Sequence, residues 1–93
     1  MRLYEIMVLM NPDIDEPKEE AEKVEEVVRS LGGEMAKTEV LGKKRLAYEV
    51  QKKNEGYYVL FTFKLEPAQT FELKRVLGLR PNIWRLMLIL LDK

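Results

Sequence analysis

The chain has 93 residues, room for one small domain and too few for two independent cores. Hydrophobic residues make up 46% and charged residues 34%, which suits a packed core under a strongly charged surface. With neither Cys nor His it lacks disulfides, thiol nucleophiles, the commonest general base and the commonest metal ligand. Sixteen Lys/Arg balance sixteen Asp/Glu, yet residues 1–39 hold eleven acidic and five basic side chains and residues 40–93 the reverse, so the halves carry −6 and +6. That polarity suits an anionic partner on one side of a neutral molecule, and two solvated faces would show it equally.

Leu3 to Met10 is a short β-branched and apolar run closed by Asn11-Pro12, a first strand with Tyr4, Ile6, Val8 and Met10 on one side and Leu3, Glu5, Met7 and Leu9 on the other. No apolar run nears the roughly 18 residues of a membrane span, and Glu5 interrupts the opening, so neither export nor insertion is expected. Asp15 is placed as the N-cap of a helix from Pro17 to Leu31, with Glu16, Glu19 and Glu20 at its positive end. Ala21, Val24, Val27, Val28 and Leu31 form its apolar stripe, and Gly32-Gly33 supplies a left-handed stop. From Glu34 to Gln51 the intermittent pattern predicts a long, bent edge strand with a bulge or close approach at Gly42 and edge-guarding cations at Lys43, Lys44 and Arg45.

Lys52-Lys53-Asn54-Glu55-Gly56 reads as the turn into a hairpin partner, Tyr57 to Leu65, whose Tyr57, Val59, Phe61, Phe63 and Leu65 are assigned to the core. Glu66-Pro67 opens a second helix with Thr70, Leu73, Val76 and Leu77 in its stripe, Phe71 beside it and Gly78 at the C-cap. Ile83 to Leu91 is the last strand, with Leu86, Leu88 and Leu90 alternating against Arg85, Met87, Ile89 and Leu91.

The order βαββαβ, without linker or repeat, predicts a single α+β domain over residues 1–93: a ferredoxin-like sandwich of a four-stranded antiparallel sheet with both helices on one face. Met7, Leu9, Tyr58, Leu60, Met87 and Ile89 then fall on the bare face, an apolar patch that asks for a protein partner, a second copy or stacked bases. Gly56-Tyr57-Tyr58-Val59-Leu60-Phe61 approaches the third-strand pattern of single-strand RNA-recognition domains but lacks the small residue between its aromatics, which sends Tyr57 and Phe61 to the core side. The basic clusters suit phosphate contact, which positions a protein on folded RNA and makes affinity salt-dependent. Catalysis finds no constellation: Asp13 and Asp15 are explained by a solvated surface, and no glycine loop opens a helix for phosphate.

The segment Gly42-Lys43-Lys44-Arg45-Leu46-Ala47-Tyr48-Glu49-Val50 closely resembles the signature of the bacterial small-subunit ribosomal protein six family, with Val50 where Ile is usual. The likeness runs through Met1 to Glu5, Asn11-Pro12, Gly56-Tyr57-Tyr58 and Asn82-Ile83. It implies a non-enzymatic, cytoplasmic constituent of the ribosome without a cofactor. It also implies binding to the central domain of small-subunit ribosomal RNA together with ribosomal protein eighteen. Many members continue into a C-terminal tail, whereas this sequence reads to Lys93, so no tail contact is carried over. Charge selects Arg2, Lys43, Lys44, Arg45, Lys53 and Arg80 for RNA; alternation selects Met7, Tyr58, Leu60, Arg85, Met87 and Ile89 for the protein partner. The alternative is a stacking RNA-recognition domain, which requires an exposed Tyr58; a small-molecule-binding or acyl-phosphate-hydrolysing domain of this fold would need a pocket with converging polar groups.

Overall fold

The computed structural model describes residues 1–92. Strand β1 (Arg2–Met10) is followed by helix α1 (Pro17–Ser30), strands β2 (Glu34–Val50) and β3 (Lys53–Leu65), helix α2 (Thr70–Gly78) and strand β4 (Ile83–Leu90). The sheet order is β2-β3-β1-β4 with every neighbour antiparallel, the ferredoxin-like arrangement that the element order predicts. Tyr4, Ile6, Val8 and Met10 of β1 lie opposite Phe63, Phe61, Val59 and Tyr57 of β3. This side of the two central strands meets Ala21, Val24 and Val28 of α1 and Leu73 and Leu77 of α2 in one buried cluster.

The α1 termination is a full Schellman motif: Gly33 N–H donates to the Val28 carbonyl at 2.9 Å and Gly32 N–H to that of Arg29 at 3.0 Å, with Gly32 at φ +85°. Gly33 is also required sterically, because a Cβ there would lie 2.8 Å from the Lys64 carbonyl oxygen. At the other end Glu16, not Asp15, occupies the cap position, without a side-chain cap bond. Pro17 fixes the first helical residue, which leaves Asp15 one position too early to reach the free amides.

The hairpin between β2 and β3 departs from the sequence reading. Val50 pairs with Lys53, so the turn is Gln51-Lys52 alone, with φ of +52° and +63°, and β3 begins four residues before Tyr57. Two left-handed residues make a turn whose twist matches that of the strands, and this geometry prevails over the polar composition of 52–56. The predicted irregularity at Gly42 is present as a register shift between Val40 and Gly42, where φ is +84°. Further shifts occur at Met35/Lys37 and between Arg45 and Val50. Gly78 is the last helical residue and no left-handed stop. Leu79 caps α2 at φ −82°, and its tail closes through Leu79 N–H to Val76 and Arg80 N–H to Leu77, both 3.2 Å. Pro81, which cannot continue a helix, follows directly.

Candidate nucleic-acid and partner interface

Residues that face one another across an antiparallel ladder share a side of the sheet, so the registers define the open face. One row runs Glu39, Leu60, Met7, Met87; a second Lys37, Thr62, Glu5, Ile89; a third Gly42, Tyr58, Leu9, Arg85. The six residues assigned to a protein partner therefore do stand together. Met87 is 61% and Ile89 43% exposed, while Met7, Tyr58 and Leu60 are half-buried.

The face is not bare along its whole length. Between Arg45 and Val50 the pairing slips, and this part of β2 curls onto the sheet, where the phenol oxygen of Tyr48 accepts a hydrogen bond from Arg85. The Arg85 guanidinium also lies 5.0 Å from the centre of the Tyr48 ring, although β2 and β4 are opposite edges of the sheet. Beneath this clasp is a groove of about 410 Å³ walled by Met7, Leu46, Tyr48, Tyr58 and Met87. Leu9, expected in the open, is only 5% exposed. Its Cδ1 lies 2.1 Å from where a Cβ on Gly56 would stand, and Leu46 closes in from the same side, so glycine is what admits the curl. The alternation of 46–50 suggested an ordinary edge strand and missed Leu46 and Tyr48 as walls; Gly56, a glycine inside a strand, was the available signal.

The six cations assigned to RNA divide into two groups. Lys43, Lys44 and Arg45 are exposed on β2 and form no ion pair among the described residues. The others are engaged: Arg2 with Asp92 at 3.4 Å, Lys53 with Asp13 at 2.8 Å, and Arg80 with Glu20 at 2.5 and 3.2 Å. The Lys53 hydrogen bond and charge hold the Asp13 carboxyl below the usual range and raise the ammonium in return. Glu20 likewise raises Arg80, against a smaller opposing effect of burial. Among the described residues no group of three or more acidic side chains is arranged to hold a metal ion.

Tyr57 lies opposite Met10 and packs against the core, Phe61 is fully buried, and Tyr58 is half-buried under the curl. Among the described residues the third strand leaves no aromatic pair flat and open for bases, as a stacking domain needs.

A family model described as Ribosomal protein S6 matches residues 3–89. The chain belongs to the ribosomal protein S6 family. Small ribosomal subunit protein bS6 of Desulforamulus reducens is 46% identical over 91 residues, 96% of each chain. That of Micrococcus luteus is 45% identical over 91 residues, 96% of this chain and 90% of the other. The crystal structure of 30S ribosomal protein S6 from Thermotoga maritima superposes with a TM-score of 0.87 at 29% identity, covering 96% of this chain and 86% of that one. Members of the S6 family are structural, non-enzymatic components of the small ribosomal subunit and so reside with the ribosome in the cytoplasm.

Proposed function

We propose that the chain binds the central domain of small-subunit ribosomal RNA jointly with ribosomal protein eighteen, and that the two contacts use different parts of the sheet. The observation that carries this is the β2 edge at 43–45, three cations that form no ion pair among the described residues, with Lys44 turned to the apolar face that the helices do not cover and Lys43, opposite Tyr57, and Arg45 turned to the other side. Lys43, Lys44 and Arg45 meet phosphates first, because among the described residues they form no ion pair that must be broken. Arg2 and Lys53 exchange exposed carboxylate partners for phosphate, and Arg80 contributes least because it must leave Glu20. Met7, Tyr58, Leu60, Met87 and Ile89 present the apolar surface to the protein partner, with Arg85 positioned by Tyr48 at its border.

The test is calorimetric binding of the chain to a central-domain ribosomal RNA fragment with and without ribosomal protein eighteen. Tight binding that needs the partner supports the proposal. Equal or better binding to short unstructured RNA without a partner supports the stacking alternative instead.

A further inference from the structure

Of the side chains in the three rows of the open face, four are charged, and two of these satisfy each other: Lys37 Nζ lies 3.2 Å from Glu39 Oε1. The other two, Arg85 and Glu5, form no ion pair among the described residues. Arg85 stands opposite Leu9 and Glu5 opposite Ile89, four positions along the strands, so about 13 Å keeps them from pairing with one another. Met7 and Met87 lie between them. Glu5 is half-buried on a central strand, flanked by Thr62 and Ile89, neither of which can neutralise it. The Arg85 guanidinium is held in place: the Tyr48 ring covers one of its faces at 5.0 Å, and the phenol oxygen accepts a hydrogen bond from one Nη. A phenol is neutral, so the charge of Arg85 is oriented without being offset. The remaining edge of the fork, Nε with the second Nη, is one that grips a carboxylate with two parallel bonds.

We propose that this face takes a partner segment that brings a carboxylate onto Arg85 and, about 13 Å further on, a cation onto Glu5, with an apolar side chain between them in the groove walled by Met7, Tyr58 and Met87. Charge complementarity requires both ends. A partner that covers Met7 and Met87 takes the neighbouring Arg85 and Glu5 out of water, and a desolvated charge left without an opposite one opposes binding strongly. Lys37 and Glu39 make no such demand, because each already neutralises the other. The two unpaired charges also fix the direction of the segment, since a reversed one would set like charge on like at both ends. The inference rests on the reading that this face binds ribosomal protein eighteen. It adds the chemistry of that contact, a charge pattern and a direction that apolar burial alone does not supply.

Calorimetric titration with ribosomal protein eighteen tests it. Glu5→Gln and Arg85→Gln are each expected to weaken binding by about tenfold or more, whereas the double variant Lys37→Gln/Glu39→Gln is expected to change it by less than about threefold. Charge reversal then supplies the sign. Binding lost in Arg85→Glu is expected to return when one acidic residue of the partner is reversed, and binding lost in Glu5→Lys when one basic residue elsewhere in the partner is reversed. A wild-type chain that does not bind the partner would remove the partner reading and this inference together. Tight wild-type binding that both Gln variants match, or reversals that no reversal in the partner restores, would overturn the inference and leave that reading standing.

Discussion

Among the described residues Glu20 is the one buried charged side chain, 7% exposed, and its bidentate bond to Arg80 ties α1 to the segment that leads into β4. Removing its charge leaves a half-buried guanidinium without its carboxylate. Glu20→Gln is therefore expected to cost about 1–2 kcal/mol in urea unfolding, less than a fully buried pair because Arg80 keeps partial access to water. The exposed carboxylates act through pH. Lys53 lowers Asp13 and Arg75 lowers Glu72. At Asp92 burial pulls upward, but the Leu3 amide and Arg2 prevail and the pKa falls. A carboxyl with a depressed native pKa contributes stability that is complete above the unfolded value and lost as the pH falls through the native one. Lys53 and Arg75, both raised, lose theirs only in strong alkali. No His or Cys titrates between. Urea midpoints are thus expected to be level from about pH 5 to about pH 9 and to fall below about pH 4. A midpoint that instead rises in acid would show that these pairs do not stabilise the native state.

At the scale of elements, the hairpin curl is the feature on which the site depends. Gly56→Ala drives a Cβ into Leu9 and lifts the 46–50 segment from the sheet, with an expected loss of about 1–3 kcal/mol, the range of overpacked sites. It should also raise amide exchange at Tyr48 and Glu49. Tyr48→Phe removes one hydrogen bond and keeps the ring over Arg85, so about 1 kcal/mol is expected, and unchanged exchange at 46–50 would show that the clasp is not what holds the curl.

The six elements were legible because each follows a local period: two along Leu3–Met10 and Tyr57–Leu65, and three to four through Ala21–Val28. What was not legible depends on contacts distant in sequence. Glu20 and Arg80 stand 60 positions apart, so Arg80 read as a free cation. Leu9 read as open because alternation assigns a side of the sheet and says nothing of a strand folding back over it. The turn was misplaced because Gln and Lys rarely occupy left-handed positions, and only the pairing register reveals that they do.

On the scale of the molecule, part of the acidic half of the sequence gathers on one side: Glu16, Glu19, Glu22 and Glu26 are exposed on or beside α1, with the helix layer between them and the open face, whereas Glu5 and Glu39 stand on the open face. The basic half supplies the β2–β3 hairpin. In a body of 37 × 25 × 21 Å that is neutral overall, the acidic α1 surface and the basic hairpin lie apart, and under the proposed RNA binding a phosphate field would orient it with the hairpin inward. The salt dependence of RNA binding in the presence of ribosomal protein eighteen measures this most directly, comparing the wild type with a Lys43→Ala/Lys44→Ala/Arg45→Ala variant. Each phosphate contact releases counterions and adds about 0.7–0.9 to the slope of log affinity against log salt. The variant slope is expected to be shallower by roughly two to three at unchanged stability; equal slopes would mean that this part of β2 does not face the RNA.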